Sequence, residues 1–161
     1  KNMTTNIKIG VIIINDKKEV LLLKEKVKKN DRSLWNIVKG TYDDNGDETI
    51  LDAAKRECME EASVAVDLVG STGCYATGKP DDLKIQFNFI GRILNGEPKL
   101  ASKEDQESRD EDIREIKWFS KDQLSRMTIG DFISEKIFAM ISDWLKGENY
   151  PLSILKQYKR G

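Results

Sequence analysis

The segment from residue 49 to residue 62 has the clearest period in this chain. Its apolar residues recur at every fourth position, as Ile50, Ala54 and Cys58. That spacing places them on one side of an α-helix, so we predict an amphipathic helix here. Thr49 is followed three residues later by Asp52, which resembles a capping box with Asp in the Glu or Gln place and predicts a helix start at Thr49. The apolar side of this helix must pack against elements supplied by the rest of the chain.

The apolar runs on either side of this helix have the composition of β-strands. Residues 7–15 are rich in β-branched side chains and are followed by a polar turn and the apolar run 20–23, which predicts a β-hairpin. Further strands are predicted at 64–69, 83–94 and 113–119. The middle one of these has an apolar face formed by alternating residues, Ile85, Phe87 and Phe89.

Two helices are predicted near the end of the chain. A short one follows Ser120, which is placed to cap it, and a longer one spans residues 131–145. The charged stretches 24–32 and 103–112 are predicted to be loops, with a phosphate-steering patch as the alternative for the first. The longer helix has an apolar stripe that we assign to the core: Ile133, Ile137, Met140, Ile141 and Trp144.

No repeat or linker divides the 161 residues, so we expect one domain over residues 1–161, of the α/β (α+β) class. Lys1 and Asn2 precede Met3 and are a candidate cloning remnant. The 27 basic and 28 acidic side chains nearly cancel to a net charge of -1. A nucleic-acid polymer or a membrane is therefore not expected as a partner.

The chain contains no histidine, which excludes Ser-His-Asp and Cys-His catalysis, a histidine base, and zinc sites that need imidazole. Its two cysteines, Cys58 and Cys74, do not form a CxxC pair and are expected to be reduced. No apolar run approaches the ~20 residues of a membrane span, and no signal-peptide pattern opens the chain. We therefore expect a cytoplasmic protein.

The predicted helix carries three carboxylates on one face. At about 100° per residue, Glu61 lies within ~40° of Glu57, and Glu60 lies about 60° to its other side. Like charges at this spacing repel each other, and a divalent cation would remove that penalty. Hard oxygen ligands favour magnesium, manganese or calcium over zinc. A solvated helix face is the alternative that these residues leave open.

The positions around this helix resemble the sequence box of the Nudix hydrolases, G-x5-E-x7-R-E-U-x-E-E-x-G-U, in which U is a bulky apolar residue. Gly40 and Glu48 open the pattern, the run from Arg56 to Glu61 forms its charged part, and Val64 ends it. From Glu48 to Glu61 the match is complete in spacing and residue type.

Other parts of the chain extend this resemblance, and two positions depart from it. Trp35 precedes the box and the Trp-Phe pair at 118–119 follows it, as in Nudix proteins, so the resemblance covers most of the chain. Seven residues instead of five separate Gly40 from Glu48. Ser63 replaces the final glycine, which costs ~1 kcal/mol if this position adopts the left-handed conformation.

The resemblance implies a Nudix-like α/β/α sandwich with a mixed β-sheet. It also implies Mg²⁺, with Mn²⁺ as an alternative, held by the following residues: Gly40, Glu57, Glu60 and Glu61. Arg56 and Glu48 would support the carboxylates in catalysis. Without histidine, a carboxylate must take the proton of the attacking water. Glu57 is the first candidate for this base, and Glu111 or Asp112 is the second.

The implied activity is hydrolysis of a nucleoside diphosphate linked to another group. Pro80 lies sixteen residues beyond Val64, which resembles a marker of ADP-ribose pyrophosphatases and favours a nucleotide sugar, although an ordinary turn also explains it. Nucleoside triphosphates and dinucleoside polyphosphates stay open as substrates. Lys39 is placed to meet a phosphate, with a solvent-exposed lysine as the equal alternative. Homodimers are common in the family.

A second hypothesis is a catalytically impaired Nudix-fold module that binds or senses a nucleotide. The longer loop after Gly40 and the serine at position 63 would be the cause of lost turnover. The intact carboxylates Glu57, Glu60 and Glu61 argue against it, because a domain without catalysis does not need three repelling charges.

Overall fold

A mixed β-sheet forms the middle layer of the fold, which the computed structural model describes for residues 2–29, 31–42 and 48–158. Within these residues the sheet has seven strands: β1 (Thr4–Ile14), β2 (Val20–Lys26), β3 (Ser33–Asn36), β4 (Val38–Thr41), β5 (Ala65–Lys79), β6 (Asp82–Asn95) and β7 (Ile113–Phe119). The strand order is β3-β2-β1-β6-β5, β4 also pairs with β1, and β7 also pairs with β2. Strand β1 runs parallel to β6 and antiparallel to β2 and β4, so the sheet is mixed as expected.

Four α-helices lie within the described residues: α1 (Ile50–Ala62), α2 (Lys103–Ser108), α3 (Lys121–Ser125) and α4 (Glu135–Leu145). The Thr49 side chain accepts a hydrogen bond from the Asp52 backbone N–H, which confirms the predicted start of α1. Ser120 and Gln123 form a capping box at the start of α3, as the position of Ser120 predicts. None of these helices is long and apolar enough to cross a membrane.

Helices α1 and α4 cover opposite faces of the sheet. Because side chains alternate along each strand, a single strand contributes to the core under both helices. Ile9, Val11 and Ile13 of β1 belong to the core cluster that contains the apolar face of α1. Ile12 of the same strand belongs to the cluster that contains the apolar face of α4. This arrangement confirms the expected α/β/α sandwich, and Cys58 faces the sheet as the period of α1 requires.

The structure differs from the sequence-based expectation in several segments. The predicted loop at 103–112 is wrong for its first part, because Ser102 caps the helix α2 by accepting from the Asp105 backbone N–H. Strand β2 extends to Lys26, into the predicted loop at 24–32. The long helix begins only at Glu135, and a 3₁₀ turn at Ile129–Asp131 precedes it.

Strand β5 continues ten residues beyond its predicted end, to Lys79, because its polar second half pairs with β6. Opposite the apolar face of β6, Gln86 and Asn88 are fully buried. Asn88 Nδ2 donates to Thr72 Oγ1 at 2.7 Å, and Gln86 Nε2 donates to the Met140 sulfur at 3.3 Å. The face of β6 that alternation assigns to solvent is therefore covered by α4.

Candidate active site

The glutamates of α1 line a cleft instead of an open helix face. Glu57 and Glu61 are only 7% and 4% exposed, and Glu60 is half-buried. The cleft has a volume of about 500 Å³, and we call it the carboxylate cleft. Its charged and glycine lining includes Glu25, Lys39, Gly40, Glu57, Glu60, Glu61 and Glu111. The structure thus brings the three predicted carboxylates together with Gly40 and Lys39.

Arg56 ties the predicted carboxylates to one another. Its Nε and Nη2 atoms donate to the two carboxylate oxygens of Glu48 at 2.8 and 3.0 Å, which is a bidentate pair. Its Nη1 atom donates to Glu57 Oε1 at 2.9 Å and to Glu60 Oε2 at 3.3 Å. This geometry is the one that the supporting role expected of Arg56 and Glu48 requires.

Strand β4 supplies backbone contacts to the same carboxylates. A side chain at Gly40 would overlap the carboxyl group of Glu57, so only glycine leaves room for this carboxylate. The backbone N–H of Lys39 donates to Glu61 Oε1 at 3.2 Å. The short strand therefore forms one wall of the cleft and fixes the position of α1 against it.

The end of β4 is also joined to the start of the α1 segment. The Tyr42 backbone N–H donates to the Ile7 carbonyl oxygen at 2.9 Å, and the Tyr42 hydroxyl donates to the Glu48 carbonyl oxygen at 2.7 Å. The longer loop that the sequence predicts between Gly40 and Glu48 falls mainly on residues 43–47, which lie outside the described residues.

Burial leaves the carboxylate cleft with uncompensated negative charge. Burial and the charge of Glu60 raise the pKa of Glu57 to about 7, although Arg56 lowers it. Burial raises the pKa of Glu61 well above its ordinary value, and the charges of Glu111 and Glu57 add to this effect. Both groups bind a proton more readily than an exposed glutamate does, and a cation in the cleft would reverse that preference.

The residues in the cleft fit a hard divalent cation by their chemistry. Carboxylate and backbone carbonyl oxygens are the ligands that Mg²⁺ and Mn²⁺ prefer, and the buried charges of Glu57 and Glu61 lack full compensation. Among the described residues, no three acidic or cysteine side chains already stand as a metal ligand set. Oxygens of Glu57 and Glu60 accept bonds from Arg56, so a cation would have to compete with that guanidinium.

The two alternative bases occupy different surroundings. Glu111 lines the cleft and accepts from Arg109 Nε at 2.8 Å, while Arg109 Nη2 donates to the Glu60 carbonyl oxygen at 2.9 Å. Asp112 lines the cleft as well, but it pairs with Arg114 at 2.8 Å, and its side chain is 44% exposed. Glu111 is therefore the acid of this pair that acts electrostatically on the helix carboxylates.

The two residues expected to bind substrate differ in location. Lys39 is half-buried in the cleft, whereas Pro80 is exposed in the turn between β5 and β6 and does not line it. Lysines of the stretch at 24–32 also reach the cleft, but Lys26 pairs with Asp31 at 2.9 Å and Lys28 with Asp110 at 2.6 Å.

Sequence reasoning missed Glu25 and Arg109. Glu25 lines the cleft, and burial raises its pKa. The signal for it was present, because Leu21, Leu23 and Glu25 alternate along β2 toward the face that α1 covers. Arg109 has no comparable signal, since its contact with α1 depends on how a loop folds back.

Comparisons with known proteins agree with this fold. The family model described as the NUDIX domain matches residues 4–140. A Nudix hydrolase from Nitrosomonas europaea superposes with a TM-score of 0.75 at 24% identity, covering 96% of this chain and 98% of that one. A MutT protein from Methanosarcina mazei Go1 gives 0.66 at 19% identity, with coverages of 92% and 97%.

A third solved structure is the NUDIX domain of Shewanella oneidensis NrtR, complexed with ADP ribose. It gives a TM-score of 0.66 at 12% identity and covers 91% of this chain and 89% of that one. None of the curated proteins matches the chain. Because the family model spans most of the sequence, the chain belongs to the Nudix family of hydrolases that act on pyrophosphate bonds.

Proposed function

We propose that this protein is a magnesium-dependent pyrophosphohydrolase that cleaves a nucleoside diphosphate linked to another group. The observation that carries the proposal is the buried carboxylate pair Glu57 and Glu61, held beside Gly40 and joined through Arg56 to Glu48 and Glu60. Such a cluster is costly in an unliganded protein and suits a site that binds a cation together with a polyanion.

The proposed metal ligands are the Gly40 carbonyl oxygen and the carboxylates of Glu57, Glu60 and Glu61. When bound, Mg²⁺ or Mn²⁺ would neutralise pyrophosphate charge and lower the pKa of a water molecule. Arg56 positions the carboxylates through its bonds to Glu48 and Glu57. The ammonium group of Lys39, at the edge of the same cleft, binds a phosphate oxygen of the substrate.

Glu57 is the proposed general base. Its carboxylate lies in the cleft against Gly40, where it would accept the proton of the attacking water. Glu111 is the second candidate, because it lines the same cleft and its charge acts on Glu57 and Glu61. Asp112 is the weaker alternative, since Arg114 occupies its carboxylate.

A small nucleotide is the proposed substrate, and ADP-ribose is one candidate for it. The ADP ribose complex of the Shewanella domain supports it, whereas Pro80, the sequence marker that favoured it, lies outside the cleft. Nucleoside triphosphates and dinucleoside polyphosphates are the other candidates.

The test is a turnover assay on these three classes of nucleotide with Mg²⁺, with Mn²⁺ and with EDTA. We expect activity with either metal and none with EDTA. Glu57→Gln and Glu61→Gln should lower kcat by about 10²–10⁴-fold, because each removes a carboxylate from the reacting site. Glu107→Gln, an exposed position on α2, is the matched control and should leave kcat unchanged.

The competing function is a nucleotide-binding module without turnover. It predicts that the protein binds ADP-ribose or a nucleoside triphosphate but releases no product with either metal. It also predicts that Glu57→Gln and Glu61→Gln change neither metal binding nor nucleotide affinity. That combined result would overturn the hydrolase proposal.

A further inference from the structure

Four lysines gather beside the carboxylate cleft around a second depression of about 430 Å³. They come from β1, β4, β6 and the first turn of α4, and we call them the lysine cluster: Lys8, Lys39, Lys84 and Lys136. Lys8 and Lys39 line both the depression and the carboxylate cleft, so the two spaces adjoin. Thr77, Ser134 and the exposed Glu135 complete the lining of the depression.

The alternation of side chains in β4 separates the two spaces. Val38 packs in the core under α1, and Gly40, two residues later, faces Glu57 of the same helix. Lys39 lies between them and therefore projects from the opposite face, which α4 covers. The short strand β4 thus lies between two groups of charges. The carboxylates of α1 are on one side of it, and Lys39 with the other lysines is on the opposite side.

The register of the sheet brings two further lysines to the same face as Lys39. Lys8 lies on the same face of β1 as Ile12, which packs under α4. Lys84 lies on the same face of β6 as Ile90, which also packs under α4. Strands β1 and β6 pair in unbroken parallel register across this region. The N-terminus of α4, which Ser134 caps, closes the group and adds the positive end of a helix dipole.

The four lysines face one carboxylate in the lining of the depression, that of the exposed Glu135. Within residues 2–29, 31–42 and 48–158, none of the four forms an ion pair, whereas Lys26 and Lys28 nearby do. The Lys8 ammonium donates to Thr41 Oγ1 at 2.7 Å, which is a neutral acceptor. Lys8, Lys39 and Lys136 are half-buried and Lys84 is exposed. A group of neighbouring cations without ion pairs is unfavourable unless an anion occupies the space between them.

Mutual repulsion within the cluster acts on Lys136. Burial lowers the pKa of Lys136, and the charges of Lys39, Lys84 and Lys8 lower it further. A bound polyanion would relieve this repulsion.

We propose that the lysine cluster binds phosphate groups of the substrate beyond the anhydride bond that lies in the carboxylate cleft. This inference rests on the proposed function and narrows it. The preferred substrates are nucleotides with three or more phosphates in a row, and not nucleotide sugars, whose second end carries no further phosphate. Lys39, at the boundary of the two spaces, contacts the phosphate chain where it passes from one to the other.

The test has a binding arm that does not depend on turnover. Inorganic tripolyphosphate is titrated into the metal-free protein by calorimetry at low salt. The double variant Lys84→Gln/Lys136→Gln leaves Lys39 and the carboxylate cleft intact, and we expect it to weaken tripolyphosphate binding at least tenfold. The control Lys17→Gln/Lys103→Gln removes the same charge at exposed positions outside the depression and should leave the affinity unchanged.

The kinetic arm compares ATP with ADP-ribose in the presence of Mg²⁺. The double variant should lower kcat/KM for ATP about tenfold or more, mainly through KM, and leave kcat/KM for ADP-ribose within twofold. Lys84→Arg/Lys136→Arg, which keeps both charges, should retain tripolyphosphate binding and serves if the Gln variant does not fold.

The two proposals fail in different ways. Equal tripolyphosphate affinity in the wild type and the Gln variant, or no affinity in either, would overturn the lysine proposal even if the enzyme hydrolyses nucleotides. An equal loss of kcat/KM for ATP and ADP-ribose would also overturn it. Absence of turnover with every nucleotide, together with tripolyphosphate binding that needs Lys84 and Lys136, would overturn the hydrolase proposal alone.

Discussion

The carboxyl group of Glu57 fills the space into which a side chain at Gly40 would project. Through this contact, helix α1 meets strand β4 of the sheet. The contact explains why a glycine is needed near the end of β4. A glycine in this place permits a close approach and does not serve a turn.

We expect Gly40→Ala to displace Glu57 and to lower kcat/KM at least 100-fold, because a small misplacement of a catalytic group has an effect of about that size. The matched control is Gly130→Ala, where the nearest atom to an added methyl group is Thr128 Oγ1 at 4.0 Å. Steady-state kinetics on both variants make the comparison. Full activity in Gly40→Ala would contradict the close-packing interpretation.

Replacement of Arg56 by lysine should impair the enzyme although the charge is kept. A lysine ammonium cannot reproduce the planar bidentate contact with Glu48 while also reaching Glu57 and Glu60. We expect kcat/KM to fall by about 10–100-fold, on the scale of a lost supporting contact at a metal site. Arg126→Lys, at an exposed arginine that pairs with Asp122, should have no effect. If Arg56→Lys retains wild-type kinetics, the guanidinium geometry is not needed.

The stability of the metal-free protein should fall as the pH rises from 4.5 to about 7. The pKa of Glu57 in the folded protein is raised from 4.5 to about 7, so the folded state binds more protons than the unfolded state in this window. The loss amounts to at most about 3 kcal/mol for this group, and Glu61 contributes in the same direction.

Urea denaturation in EDTA at pH 5, 6, 7 and 8 measures this dependence. Glu57→Gln should flatten the pH profile and be more stable than the wild type at pH 8, because it has no buried charge to form. Addition of Mg²⁺ should reduce the fall in the wild type. A wild-type profile that rises over this range would show that burial does not disfavour the Glu57 carboxylate.

Ser63→Gly should stabilise the protein without changing its kinetics. Ser63 ends α1 in the left-handed conformation, at φ 60° and ψ 31°, where a Cβ atom is unfavourable. We expect a gain of about 0.5–1 kcal/mol in the free energy of unfolding, reduced by loss of the 3.3 Å bond from Ser63 Oγ to the Lys99 carbonyl oxygen. Ser63→Ala keeps the strain and loses that bond, so it should not be more stable than the wild type.

Those elements that a local period defines were predictable from the sequence. The helix α1 follows from the four-residue spacing of its apolar residues and from the Thr49 cap, and the hairpin of β1 and β2 follows from β-branched runs around a polar turn. Gln86 and Asn88 were not predictable as buried residues, because alternation along β6 cannot tell whether a second helix covers the polar face. The second half of β5 was not predictable either, because its structure depends on pairing with β6.

The same distinction applies to the candidate site. Glu57, Glu60 and Glu61 share one helix, so their spacing alone places them on one face. The lysine cluster comes from several elements, and only their tertiary arrangement brings the four side chains to the site. Charged residues that meet only through tertiary contacts have no characteristic spacing along the sequence.

The hydroxyl of Tyr42 donates to the carbonyl oxygen of Glu48, the residue whose side chain receives the bidentate contact of Arg56. The backbone N–H of Tyr42 is at the same time bonded to the Ile7 carbonyl oxygen of β1. One tyrosine therefore anchors the far end of the arginine network to the central sheet, so the precision of the site depends on a side chain that lies outside the cleft.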